Sequence, residues 1–162
     1  MSFSLHRRGL LSHVMVALAT GIWSNSVSAA GYGLPKVQNL QLALQKAQAK
    51  SMPLVVMVTL EGCPYCKVVR QNYLPEYLEK GIPILELDLN SGEAIRGETG
   101  LTTSAREWAK DKGIRIAPTL LWLGGNGQEL VARLTGMSSA DFYGAYLDDR
   151  MNQAAQRVRS GH

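Results

Sequence analysis

The sequence of 162 residues contains two cysteines and three histidines, too few for most metal centres. A zinc site needs about four ligands, and two of the histidines, His6 and His13, fall in a segment that we expect to be removed. Haem attachment needs a histidine directly after the second cysteine of a pair, and Lys67 occupies that position. The scarcity of these residues disfavours a zinc or haem protein, and no metal or cofactor is expected.

The sequence also lacks a strong excess of charge and any internal repeat. It is 46% hydrophobic and 19% charged, with a net charge of +4, which suits one globular domain. Loss of Arg7 and Arg8 with the expected leader lowers the net charge from +4 to +2. The remaining cations are scattered apart from a modest cluster, Arg150, Arg157 and Arg159, so no nucleic-acid partner is predicted.

A hydrophobic run long enough to cross a membrane is absent, but the first thirty residues form a distinct segment. A basic start at residues 6–8 precedes mostly apolar residues 9–23 and small polar residues up to Ala30. This pattern is typical of a secretory signal peptide, whereas a span needs about 20 apolar residues. We therefore expect residues 1–29 to be cleaved and the protein to be periplasmic, without stable membrane insertion. The general secretory route is preferred over the twin-arginine route, and an uncleaved anchor is the alternative.

The two cysteines, Cys63 and Cys66, lie three residues apart between two regular patterns. Residues 54–60 are apolar and predict a buried strand, and residues 67–74 predict a helix. Free N–H groups at the start of a helix favour the thiolate, the reactive form of cysteine, and the second cysteine can attack a mixed disulfide formed by the first. The pair is the candidate reactive site, although a structural disulfide or a Cu(I) site remains an alternative.

Hydrophobic periodicity and turn residues divide the chain into helices, strands and loops. Helices are expected at residues 37–49, 63–74, 75–81, 104–112 and 140–155. Strands are expected at residues 54–60, 82–89, 118–123 and 128–135, with a surface loop at residues 90–101 and a hairpin turn at residues 124–127. A strand–helix–strand unit gives a parallel pair and a hairpin an antiparallel pair. The prediction is an α/β domain at residues 37–157 with a four-stranded mixed sheet covered by helices on both faces, a loose lead at residues 30–36 and a tail at residues 158–162.

With this order of elements and this cysteine pair, the chain resembles the thioredoxin family. Two further segments carry the resemblance, namely KGIRIAPTL at residues 112–120 and the GGNG turn at residues 124–127, whose following strand ends at Gly136. Together they cover about residues 37–147 in the family's order. The resemblance implies a thioredoxin-like fold and thiol–disulfide exchange, and the chain looks closer to small exported thioredoxins associated with sulfur oxidation and cytochrome maturation in bacteria.

The resemblance also implies roles for individual residues. Cys63 would be the attacking thiolate and Cys66 the resolving thiol. Pro118 would follow a cis peptide bond, and the backbone of Ala117 would pair with an extended segment of the substrate. We expect Pro64 and Tyr65, between the cysteines, to contact the substrate as well.

Three positions depart from the family's usual pattern. Gly62 stands where a tryptophan is usual, Pro64-Tyr65 is the dipeptide typical of glutaredoxins, and Met57 replaces a buried aspartate. Among nearby charges, Lys67 and Arg70 would favour the Cys63 thiolate if they lean toward the sulfur, and Glu61 would oppose it. Only a moderate lowering of the Cys63 pKa is therefore expected.

These observations favour an exported thiol–disulfide oxidoreductase that reduces disulfides of periplasmic proteins. In an oxidising compartment such a reductant needs a supply of electrons, for which a membrane thiol-reductant donor is the expected partner. The alternatives are a thiol oxidase or isomerase, and a redox-sensing or Cu(I)-binding module without turnover.

Overall fold

The structure is a computed structural model that describes residues 33–137 and 139–161. The predicted signal peptide, residues 1–29, lies outside the described residues, as do the first residues of the predicted lead. In the part of the chain that the structure describes, no helix is long and apolar enough to cross a membrane.

Helices and strands alternate through most of the described chain. The helices are α1 (Leu40–Ala49), α2 (Pro64–Val68), α3 (Pro75–Glu79), α4 (Ala105–Asp111) and α5 (Ala140–Arg159), with a π-helical turn at Val69–Tyr73 between α2 and α3. The strands are β1 (Leu54–Thr59), β2 (Ile84–Asp88), β3 (Ala94–Arg96), β4 (Thr102–Ser104), β5 (Thr119–Leu123) and β6 (Leu134–Thr135).

Four of these strands form the main sheet, in the order β2-β1-β5-β6. β1 and β2 are parallel, while β5 is antiparallel to both β1 and β6. All six residues of β1 are buried, because Val55 and Met57 face a core shared with α2 and α5, and Val56 and Val58 face a core shared with α1 and α4. The predicted α/β class and four-stranded mixed sheet with helices on both faces are confirmed.

The predicted surface loop at residues 90–101 instead contains part of a second, two-stranded sheet. β3 pairs with β4, so that Ile95 lies opposite Thr103 and is buried in the core under α1 and α4. Glycine, serine and charged residues dominate this segment, and three-residue strands give too short an alternation to be recognised. The hairpin ends at Ser104, whose hydroxyl accepts a hydrogen bond from the Glu107 N–H at 3.1 Å and caps α4.

The predicted strand at residues 128–135 is mostly irregular. Only Leu134–Thr135 pairs in a ladder with β5, and a single bridge joins Glu129 to Leu123. The consecutive residues Leu130 and Val131 are both buried, which a strand with one solvated face does not allow. The chain therefore leaves the ladder between the bridge and β6.

The two ends of the described chain also differ from the prediction. The lead at residues 30–36 is not loose at its end, because Pro35 O accepts from Glu86 N and Val37 N donates to Glu86 O, each at 2.8 Å along the edge of β2. α1 begins at Leu40, after the Asn39 cap, and not at Val37. α5 continues to Arg159, past both residue 155 and the expected start of the tail.

Candidate active site

A sharp turn carries the chain from β1 to α2 and places Cys63 at its end. Gly62 has a φ of +73°, a backbone conformation that residues other than glycine rarely adopt. Cys63 is extended and occupies the N-cap position of α2. Pro64 follows at the first helical position, where its missing N–H costs no helical hydrogen bond.

Cys63 and Cys66 form a disulfide whose two sulfur-bearing residues differ in accessibility. The Cys66 side chain is 1% exposed and packs in the core with Met57 and Val69, whereas Cys63 is partly exposed at the edge of that core. The Cys66 N–H donates to Cys63 Sγ at 3.1 Å. A substrate sulfur can therefore approach Cys63, and Cys66 is placed to act only on Cys63.

The segment before β5 lies against the disulfide. The Ala117–Pro118 peptide bond is cis, and the Ala117 carbonyl oxygen lies 3.9 Å from Cys63 Sγ. Two hydrogen bonds hold this segment in place, from Thr119 Oγ1 to Ile116 O and from Gly136 N to Pro118 O, each at 2.7 Å. The structure thus brings together the predicted site residues from two segments of the chain more than fifty residues apart.

Two apolar side chains beside the disulfide are exposed to solvent. Tyr65, within the cysteine pair, is 58% exposed, and Ile116, directly before Ala117, is 54% exposed. Sequence reasoning identified Tyr65 as a contact residue but missed Ile116. The signal was available in its position directly before the Ala117–Pro118 segment.

An ion pair links the helical segment after Cys66 to strand β2. Arg70 Nε donates to Glu86 Oε2 at 2.7 Å, and Arg70 Nη2 donates to Thr59 Oγ1 at 3.3 Å. Arg70 was expected to favour the Cys63 thiolate if it leaned toward the sulfur, but its guanidinium pairs with Glu86. Glu86 was missed in the sequence, although a lone carboxylate in an apolar strand signals a buried or half-buried partner.

A cleft of about 820 Å³ opens beside Cys63 on the side of β2. Its walls include Gly62, Cys63 and Pro64 from the β1–α2 turn, Arg70 and Glu86, and residues near the start of β3. Residues 33–137 and 139–161 contain no group of three or more histidine, cysteine, aspartate or glutamate side chains that could hold a metal ion.

The site joins a disulfide between a partly exposed and a buried sulfur to a mixed sheet with helices on both faces. This combination defines the class of thiol–disulfide oxidoreductases, in which a thiolate opens a disulfide and a second thiol closes the new one. The family model described as the thioredoxin-like domain matches residues 40–150. The chain belongs to this thioredoxin-like family and is a thiol–disulfide oxidoreductase.

Solved structures share the fold at low sequence identity. A thioredoxin from Thermus thermophilus is 20% identical, with a TM-score of 0.54 over 80% of this chain and 95% of that chain. A protein described as DsbH oxidoreductase is 13% identical, with a TM-score of 0.52 over 74% of this chain and 86% of that chain. A thioredoxin pre-protein from Schistosoma mansoni is 19% identical, with a TM-score of 0.50 over 74% of this chain and 96% of that chain. No curated protein matches the chain in sequence.

Proposed function

We propose that this protein is an exported reductase of disulfides in other proteins, with Cys63 as the nucleophile and Cys66 as the resolving cysteine. The observation that carries this proposal is the contrast between the two sulfurs. Cys63 is partly exposed at the N-cap of α2, whereas Cys66 is buried with its N–H 3.1 Å from Cys63 Sγ.

The reaction proceeds in two exchanges and conserves electrons. The Cys63 thiolate of the reduced protein attacks one sulfur of the substrate disulfide, so that a mixed disulfide forms and the other substrate sulfur leaves as a thiolate. Cys66, as its thiolate, then attacks Cys63 Sγ and releases the second substrate thiolate, which takes up a proton. The substrate gains two electrons, and the protein is left with the Cys63–Cys66 disulfide.

Helix geometry supports Cys63 as the attacking sulfur. The Cys66 N–H that donates to Cys63 Sγ at 3.1 Å would donate equally to a thiolate. The N-terminal end of a helix carries a partial positive charge that also favours the thiolate. Both effects act on Cys63 and neither acts on Cys66 in the same way, because Cys66 lies inside the helix.

The surface around Cys63 supports a protein substrate. An extended segment laid along Ala117 would lie close to two exposed side chains, Tyr65 within the cysteine pair and Ile116 directly before Ala117. Backbone pairing of this kind gives affinity with little dependence on sequence, and neighbouring apolar side chains add selectivity. Pro64, exposed at the start of α2, completes this surface.

The charges near the sulfurs support a reducing role over an oxidising one. In a strong oxidant the thiolate of the reduced protein is heavily stabilised. The reduced form is therefore favoured, and the disulfide readily takes electrons from other thiols. Here Glu86 pairs with Arg70, Glu61 is exposed two residues before Cys63, and no histidine lies between the cysteines. The composition of residues 1–29 supports export, after which a membrane thiol-reductant donor would keep the protein reduced.

Reduction of insulin disulfides by the purified protein, with dithiothreitol as electron source, tests the proposal. Cys63→Ser should abolish the reaction, and Cys66→Ser should accumulate mixed disulfides that a non-reducing gel resolves. Trapping by Cys63→Ser in place of Cys66→Ser would reverse the roles. Tight Cu(I) binding by an otherwise inactive protein would replace the proposal with the metal-binding alternative.

A further inference from the structure

A small depression with a basic lining lies beside the loop that follows β2. Its volume is about 240 Å³. The lining consists of three cations and three uncharged residues, namely Arg106, Lys110, Arg115, Leu89, Asn90 and Ile114. No carboxylate among the described residues lines it. We refer to these six residues as the cationic depression. A concave surface lined by charges of one sign favours ligands of the opposite sign.

The cationic depression lies at the same end of the sheet as Cys63. Leu89 N donates to Thr59 O at 2.8 Å, which places the residues after β2 beside the end of β1, where the turn to Cys63 begins. On the other side, Arg115 lies two residues before Ala117, whose carbonyl oxygen is 3.9 Å from Cys63 Sγ. Two residues of extended chain span at most about 7 Å. The depression therefore adjoins the surface proposed for protein substrates.

The three cations differ in how they are held. Arg106 Nε and Nη2 both donate to Asn90 O, at 3.2 and 3.0 Å, so that the guanidinium is fixed while most of its N–H groups stay free for a ligand. Lys110 pairs with Glu107 at 3.4 Å through exposed side chains, a contact that contributes little. Arg115 is exposed and makes no ion pair or hydrogen bond within the described residues. The positive charge of the depression is therefore largely uncompensated.

The carboxylates near this end of the sheet line other parts of the surface. Asp88 and Glu93 line the cleft beside Cys63, and the side chain of Asp88 accepts a hydrogen bond from Asn90 N at 2.8 Å. Asp111 lines a cavity next to the β3–β4 hairpin. A protein that approaches the disulfide therefore meets cations on the Arg115 side without opposing carboxylates in the depression.

We infer that the cationic depression selects substrate proteins whose cysteine is flanked by acidic residues. This inference rests on the reduction of protein disulfides proposed above. An extended substrate segment rises about 3.4 Å per residue, so that a segment paired along Ala117 brings side chains about two to four residues from its cysteine to Arg115. A guanidinium binds a carboxylate through two parallel charge-assisted hydrogen bonds. The depression takes no part in the exchange of sulfur bonds and acts only by holding the substrate.

The test uses two synthetic peptides, each with one cysteine joined to a 2-thiopyridyl group through a disulfide. One peptide has glutamate at the second, third and fourth positions on both sides of its cysteine, and the other has glutamine there. Each is mixed with the reduced protein after removal of reductant, and release of 2-thiopyridone gives a second-order rate constant. The rate constant for the glutamate peptide divided by that for the glutamine peptide is the acid preference. This ratio cancels any effect of a substitution on the nucleophilicity of Cys63.

Arg115→Gln should lower the acid preference about threefold, as for loss of one exposed ion pair. Arg115→Glu should lower it further, because the introduced carboxylate repels the glutamate peptide. The matched control is Arg157→Gln, which removes the same charge from an exposed residue in the last turn of α5. Arg157 lies about 25 Å along the helix from Ala140. At about 0.1 M ionic strength, where the Debye length is about 10 Å, the control should keep the preference within about 1.5-fold.

The same measurements separate failure of this inference from failure of the proposed function. Activity on insulin, with an acid preference that neither Arg115→Gln nor Arg115→Glu changes, would overturn the inference and leave the protein reductase intact. An equal fall in Arg157→Gln would also overturn it, because net charge and not the depression would then set the preference. Absence of reaction with insulin and with both peptides would overturn the inference and the proposed function together.

Discussion

Arg70 and Glu86 join the helical segment after the cysteine pair to the middle of β2 through a 2.7 Å ion pair. Glu86 lies opposite Met57 in the parallel register of β1 and β2, so its carboxylate emerges on the face of the sheet that packs against α2. Met57 itself is fully buried and brings no charge to that face. The paired carboxylate of Glu86 thus lies beside Met57, the position at which the family's usual pattern has a buried aspartate.

Removal of the Glu86 charge should make Cys63 more acidic. In Glu86→Gln the guanidinium of Arg70 is no longer neutralised, and its positive charge favours the thiolate across the cleft, which lowers the pKa of Cys63. The pH dependence of Cys63 alkylation in the reduced protein measures this pKa. Glu79→Gln, an exposed position on α3, is the control. An unchanged or higher pKa in Glu86→Gln would show that the pair is structural only.

Loss of the apolar side chain at Ile116 should slow the reaction with protein substrates more than the reaction with small disulfides. Ile116→Asn removes an exposed contact directly before Ala117, and we expect kcat/KM for insulin to fall about five- to tenfold, as for loss of a peripheral apolar contact of about 1 kcal/mol. The matched control is Leu101→Asn, since Leu101 is 73% exposed but lies in the β3–β4 hairpin. Equal losses for insulin and for bis(2-hydroxyethyl) disulfide would mean that Ile116 acts on the cysteines instead.

Glu98 should anchor the β3–β4 hairpin in a pH-dependent manner. Its carboxylate accepts from Trp108 Nε1 at 2.7 Å and pairs with Lys112 Nζ at 2.7 Å. Burial alone would raise the pKa of Glu98, but hydrogen bonds from Lys112, the backbone and Trp108 outweigh it and hold the pKa below its usual value of 4.5. A lowered folded-state pKa means that the contribution to stability is complete above about pH 4.5 and is lost as the pH falls through the folded-state value.

Glu98→Gln should therefore lower the free energy of unfolding by about 1 kcal/mol at pH 7 and by clearly less at pH 3. Urea unfolding at the two pH values measures both quantities. Glu107→Gln, which breaks an exposed pair with Lys110, controls for the loss of one surface charge. A loss of equal size at both pH values would contradict a role for the ionised carboxylate.

The strength of the sequence signals explains which parts of this fold were predictable. The apolar run of β1 and the turn residues around Cys63 specify a buried strand that leads into a helix, because a strand covered on both faces buries the five consecutive apolar residues from Leu54 to Val58. Ser104 was recognisable as a cap since its hydroxyl precedes a helical pattern. These are local signals, and the structure places them as expected.

Features that depend on contacts distant in sequence could not be read in the same way. The pairing of Arg70 with Glu86 spans sixteen positions, and it decides whether the guanidinium reaches the sulfur. The β3–β4 hairpin depends on burial of Ile95 under α1 and on the anchor at Glu98, neither of which leaves a periodic pattern. The cleft beside Cys63 is lined by residues of the β1–α2 turn, β2 and β3, which are far apart in the sequence.

The mature protein should begin near Ala30. The basic, apolar and small-residue order of residues 1–29 predicts cleavage after export, and these residues lie outside the part of the chain that the structure describes. Intact-mass measurement of protein purified from the periplasm of its native host checks the boundary. Recovery of the full-length mass from the membrane fraction would instead support an anchor.

The Cys63–Cys66 couple should have a reduction potential nearer to that of thioredoxin, about -270 mV, than to that of a strong oxidant, about -120 mV. Two effects stabilise the reduced form, namely the Cys66 N–H directed at Cys63 Sγ and the start of the helix. Glu61 opposes it with a negative charge two residues before Cys63, and Arg70 adds little because Glu86 neutralises it. With no imidazolium between the cysteines, the balance leaves only a moderate preference for the thiolate. Equilibration with defined glutathione buffers measures the potential, and trapping of thiols in living cells gives the redox state. A value near the oxidising end, with the protein fully oxidised in cells, would replace the reductase with a thiol oxidase.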